Sequence, residues 1–184
     1  MQKNKGAVLL RITVISALLC AISIVLGKYL AINVGDVIRI SFENLPVLLA
    51  GMAFGPLVGA LVGCVGDLLG CLLVGYAVNP LVTLGASLVG AISGLYRIFP
   101  KRSGGVSRFL AVLLTVFSAH AIGSVVVKTI GLSAFYAMDL GVLMLWRALN
   151  YLIVGSAEVA VLYLLTKSTG LVNEIKKING AIGL

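Results

Sequence analysis

An all-α polytopic membrane protein, a compact bundle of six transmembrane helices with N-in/C-in topology, is the fold this sequence predicts. Three observations predict it. Hydrophobic residues make up 60% of the 184 and charged residues only 11%, with a mean hydropathy of +1.15. Soluble chains average about 45–50% apolar and about 25% charged residues, so this one has too much apolar surface to hide from water. The apolar residues fall in long runs, and a spanning helix takes about 20 residues. Six spans with short loops use nearly the whole chain, so residues 1–184 read as one integral membrane domain with no separate soluble part.

The first span reads from about residue 10 to residue 30. Lys3 and Lys5 ahead of it look like the start of a signal peptide, but no small-x-small cleavage site closes the run, so the span is expected to be retained. Asn33, Gly35 and Asp36 mark a loop, and residues 37–42 alternate like a short extended piece. The next apolar run, 44–54, has Pro46 in its first turn but is short for a span. A short helix at membrane depth must be enclosed by protein or line a wet cavity, which points to a cavity near Arg39–Asn44.

Phe54-Gly55-Pro56 is a turn signal. The third span follows to about Val74, and the fourth runs from Pro80 to Ile98 after a loop at 75–79. A basic loop covers 99–105. The fifth span is expected over about 109–127 and the sixth over about 140–166, with a polar tail behind it.

Charge sets the orientation. Ten basic residues fall in segments that six spans place on the N-terminal side: Lys3, Lys5, Arg11, Arg97, Lys101, Arg102, Arg108, Lys167, Lys176 and Lys177. Four fall on the other side or in its half of the spans: Lys28, Arg39, Lys128 and Arg147. Ten against four favours both termini inside. Basic residues in separate short clusters do not make a phosphate-tracking face, so no nucleic acid partner is expected.

Several features bear on chemistry. Cys20, Cys64 and Cys71 lie in apolar runs, where a thiol acts as a small hydrophobe. With one His there is no paired-His metal site, so neither metal nor cofactor is expected. No Gly-x-x-x-x-Gly-Lys-Ser/Thr is present, so the chain does not bind ATP through a P-loop. Gly90-Ala91-Ile92-Ser93-Gly94 is only loosely similar to an intramembrane serine protease, lacking the glycine two residues before the serine. The chain therefore reads as a binding protein and not as an enzyme.

Glycines recur one turn apart at 59/63, 66/70 and 90/94, a pattern that lets helix backbones approach in lipid and that fits internal packing of a tight bundle. Polar residues inside the spans are costlier and point to a cavity or a partner. Asp67 lies among the glycines of the third span; His120, Ser124 and Lys128 recur every four residues in the fifth. In the sixth, Arg147, Asn150 and Glu158 share a face, because three and eleven residues are nearly whole turns. Arg147 offers a planar fork of donors for carboxylates or heterocycle edges, and Asn150 both a donor and an acceptor. With Arg39, and with Phe42, Tyr76 and Trp146 as aromatic neighbours, they form the candidate substrate wall, which Asn79, His120 and Lys128 complete. The competing readings are structural: Lys28 and Lys128 snorkelling to the surface, His120 bonded in the interior, and Arg147 paired with Asp139 or Glu43.

One stretch is specific to a family. Arg39-Ile40-Ser41-Phe42-x-x-Leu45-Pro46, then Ala50-Gly51-Met52-Ala53-Phe54-Gly55-Pro56, then Gly59-Ala60-x-Val62-Gly63-x-x-x-Asp67-Leu68-x-Gly70 resembles the S-components of energy-coupling factor (ECF) transporters, and within them the folate family. Glu43-Asn44 before Leu45-Pro46 departs from that pattern. The resemblance implies a prokaryotic plasma-membrane subunit that captures folate or a related heterocyclic vitamin outside. It also implies delivery inward with a transmembrane coupling subunit and two ATPase subunits. Ala17-xxx-Ala21 looks like the small-residue motif with which such subunits dock on the coupling subunit. The alternative is a self-contained secondary carrier or channel, although no clear inverted repeat is visible; a membrane enzyme is third.

Overall fold

The computed structural model describes residues 2–34, 38–98 and 105–180, with the side chains of 2–4, 33, 34, 38 and 39 left undescribed. Lys101 and Arg102 of the basic loop lie outside the described residues.

Helix α1 (Gln2–Ile24) runs on through a π-helical turn, Val25–Tyr29. Strands β1 (Ile32–Val34) and β2 (Ile38–Ile40) pair antiparallel, with Asn33 opposite Arg39. Next come α2 (Asn44–Phe54), α3 (Pro56–Val74) and α4 (Pro80–Ser93), which ends in a 3-10 turn, Gly94–Ile98. Helix α5 (Gly105–Ala119), a π-helical stretch (His120–Val127) and α6 (Lys128–Tyr136) form one continuous rod of 32 residues. Helices α7 (Leu140–Lys167) and α8 (Thr169–Gly180) complete the chain.

Five helical rods among the described residues are long and apolar enough to cross a membrane; α2 is the short sixth member of the bundle. Its 11 residues span about 16 Å at 1.5 Å each, half a bilayer core. Nine of them are buried, among them Val47, Leu48, Ala50 and Phe54, so protein and not lipid surrounds it. Among the described residues the bundle is all-α except for a ribbon of two three-residue strands just ahead of α2.

Glycine makes the tight joints. Gly55 has φ +98°, a conformation that excludes ordinary side chains, and turns α2 sharply into α3. Helices α3 and α4 cross almost backbone to backbone: a Cβ on Gly59 would overlap the Gly90 carbonyl, and one on Gly90 would overlap that of Gly59. In lipid, where apolar surface gains nothing by association, such close packing holds helices together. The glycine pairs thus serve internal packing, as their spacing predicts. The outward faces of α3 and α7 carry exposed apolar residues, such as Leu57, Leu61 and Leu72 on α3 and Leu145 and Ile153 on α7.

The tail is not merely polar. Helix α8 lays Ile175 and Ile178 against Val8, Ile12, Ala53 and Phe54, and Asn179 Nδ2 donates to the Ala53 carbonyl at 3.0 Å. The spacing of Leu171, Ile175 and Ile178 is the helical signal that its charged residues obscure.

Candidate substrate-binding site

Because α2 stops short, a cavity of about 300 Å³ opens above its N-terminus, lined from α1, α3, α4, α6, α7 and the segment that leads into α2. That segment is tied to α1: Ser23 Oγ donates to the Glu43 carbonyl at 2.6 Å, Ser41 Oγ to the Leu26 carbonyl at 3.4 Å, and Glu43 N to Ser41 Oγ at 3.2 Å. Gly27 permits the approach, since a Cβ there would lie 2.7 Å from Glu43 Oε2.

Five charged side chains line the cavity: Lys28, Lys128, Arg147, Glu43 and Asp67. Lys128 does not snorkel. It is 3% exposed, and its Nζ donates to Glu43 Oε1 at 3.3 Å. A buried cation without a partner is costly, and Glu43 supplies one. Lys28 also turns inward, with its Nζ 3.8 Å from Cys71 Sγ and 5.6 Å from the centre of the Tyr76 ring. Asp67 accepts from Thr83 Oγ1 at 2.6 Å, which fixes the carboxylate against α4.

Arg147 takes neither carboxylate proposed for it. Its Nε and one terminal nitrogen both donate to the Ser124 carbonyl, at 3.1 and 3.0 Å. Asp139 instead caps α7 by accepting from Val142 N at 2.8 Å. The anchoring fits the π-helical stretch, in which the backbone bonds i→i+5 and the regular i→i+4 ladder is interrupted.

The structure brings six of the nine candidate residues to the cavity wall: Tyr76, Asn79, Lys128, Trp146, Arg147 and Asn150. The amide of Asn79 is committed to structure, accepting from Leu81 N and Val82 N and donating to the Gly131 carbonyl at 2.7 Å. Phe42 is exposed and outside the wall. The side chain of Arg39, in β2, lies outside the described residues. His120 sits one layer beneath the wall, 1% exposed, its ring stacked on Tyr151 with 4.6 Å between centroids. Lys28, Ser41, Glu43, Asp67, Tyr136 and Tyr151 are wall residues outside the candidate set. For Lys28 and Asp67 the signal was present: a charge inside an apolar run.

These features define a multi-pass membrane protein with a small, charge-rich cavity at one end of its bundle. A family model for the substrate-specific component of ECF transporters matches residues 11–167. The chain is 30% identical over 148 residues to the folate transporter FolT of Clostridium novyi (strain NT), covering 80% of this chain and 83% of that one. Among solved structures, FolT bound with folic acid matches with a TM-score of 0.64 at 28% identity, over 83% of this chain and 90% of that one. The S component of a bacterial ECF transporter shares the fold, with a TM-score of 0.62 at 22% identity, over 90% of this chain and 98% of that one. The chain belongs to the family of substrate-specific components of ECF transporters. It is thus a transport subunit of the prokaryotic plasma membrane, not an enzyme, and the self-contained carrier or channel is set aside.

Proposed function

We propose that this subunit binds folate, or a closely related heterocyclic vitamin, from outside the cell and passes it inward in complex with a transmembrane coupling subunit and two ATPase subunits. The observation that supports the reading best is the mixed lining of the cavity, in a chain similar to FolT. Folate carries carboxylates at one end and a heterocycle edge with both donors and acceptors at the other. Lys28 and Arg147 suit the carboxylates; Asp67, Asn150 and the aromatic rings of Tyr76, Trp146 and Tyr151 suit the heterocycle. Glu43 does not oppose an anionic ligand, because Lys128 already offsets its charge.

An outward-facing cavity fits the N-in/C-in orientation. The helices alternate in direction, so the ends of α1 and α3 and the starts of α2, α4 and α7 meet at the cavity. Lys5, Arg11, Arg97, Arg108, Lys167, Lys176 and Lys177 belong to the opposite end, as the positive-inside rule requires of a cytoplasmic face. Ala17 and Ala21 are exposed on α1, on the side turned away from the bundle, where a coupling subunit has access.

Mass spectrometry of small molecules retained through gentle purification tests the substrate. Folate or a close relative is the expected ligand; stoichiometric retention of an unrelated vitamin would overturn the assignment.

A further inference from the structure

We propose that His120 and Glu158 are positioning residues for substrate capture: from beneath the cavity they fix the two groups that hold the Arg147 guanidinium in place. The inference rests on the reading of Arg147 as a substrate contact.

Both side chains are buried, His120 at 1% and Glu158 at 0% exposure. His120 Nε2 meets Glu158 Oε2 at 2.5 Å, joining the π-helical stretch to α7. The other ring nitrogen, Nδ1, meets Ser124 Oγ at 3.2 Å. One residue, Ser124, therefore faces the imidazole with its hydroxyl and Arg147 with its carbonyl. A second path runs through Tyr151, whose ring stacks on the imidazole at an interplanar angle of 22° and has the Arg147 guanidinium 5.5 Å from its centroid.

Burial makes this network stiff. A buried polar group that loses its partner bears its full desolvation cost, so rotation of the imidazole away from Glu158 or Ser124 is opposed from both sides. With the ring fixed, Ser124 and Tyr151 are fixed, and the guanidinium is held on two sides at the cavity wall. A site needs such support, because a ligand-gripping group displaced by about 1 Å loses much of its binding geometry.

A purely structural bond between the π-helical stretch and α7 would use the same contacts but would not couple to Arg147, so a double-mutant cycle separates the two roles. Binding of folic acid to the purified full chain is measured for His120→Ala, Arg147→Ala and the double variant. His120→Ala is expected to weaken binding about tenfold in the parent chain and to have little further effect once Arg147 is gone. Should His120→Ala fail to fold, Glu158→Gln keeps an acceptor for the imidazole while removing the charge. Its expected loss is smaller, about threefold, and is likewise absent in the Arg147→Ala background. Equal losses with and without Arg147, or full affinity in folded His120→Ala or Glu158→Gln, overturn the positioning role alone. Full affinity in Arg147→Ala by itself overturns the underlying assignment of Arg147 as well.

Discussion

Lys128 and Glu43 stand 85 positions apart in the chain and meet at 3.3 Å in the cavity wall, joining the start of α6 to the entry of α2. Lys128 is enclosed, with 4% of its side chain exposed, while Glu43 keeps 27%. Breaking a fully buried pair costs about 3–5 kcal/mol; here cavity water hydrates the orphaned lysine in part, so about 2–3 kcal/mol is expected. Glu43→Ala should therefore lower the Tm of the ligand-free protein by roughly 5 °C or more, with Glu43→Gln milder. Thermal unfolding in detergent checks this, and an unchanged Tm would show that the pair contributes nothing to the fold.

The crossing of α3 and α4 makes a separate prediction about packing. At Gly59 and Gly90 an added methyl would strike the backbone carbonyl of the other helix, which cannot rotate away as a side chain can. Gly59→Ala and Gly90→Ala should each destabilise by about 1–3 kcal/mol, the usual range for overpacking. Gly170, with nothing within 4 Å of a Cβ, is the control and should tolerate alanine.

Arg147 lines the cavity while its Nε and one terminal nitrogen are held by Ser124. Losing a charge-assisted bond to a ligand costs about 1.5–3 kcal/mol, so Arg147→Ala should weaken binding at least about tenfold. The empty protein should lose about 1–3 kcal/mol of stability as well, because the carbonyl of the fully buried Ser124 loses both guanidinium bonds. A variant that melts early yet binds with full affinity would make the arginine structural.

Ala17 and Ala21 present small side chains on the free face of α1. Bulk at a close helix crossing separates the backbones. Ala17→Leu or Ala21→Leu should abolish uptake by the assembled transporter and leave folate binding by the isolated subunit intact. Loss of binding or folding would place the stripe inside the subunit's own architecture.

Much of this architecture was legible because the signals are local. Pro56 and Pro80 open α3 and α4 where the sequence expects them, and the shortness of the 44–54 run foretold both its enclosure and the cavity beside it. The 147/150 spacing on one helix brought Arg147 and Asn150 to the wall together. Long-range pairings were not legible. Nothing near residue 43 or residue 128 says that Glu43 waits for Lys128, and a lysine close to a span end looks the same whether it snorkels out or turns in. The π-helical stretch left no signal of its own in the residue pattern. Residues 120, 124 and 128 suit an ordinary helical stripe, yet His120 lies beneath the wall while Lys128 lies in it.

The most direct test of the account is calorimetric titration of folic acid into the purified subunit, without coupling subunit, ATPases or nucleotide. The only tryptophan, Trp146, lines the cavity and supplies an independent fluorescence signal for the same event. Saturable binding of one folate per chain is expected, with the Trp146 emission changing in step with the heat and both weakened in Arg147→Ala. A folded sample that gives neither heat nor a fluorescence change with folate, but responds to a different vitamin, would contradict it.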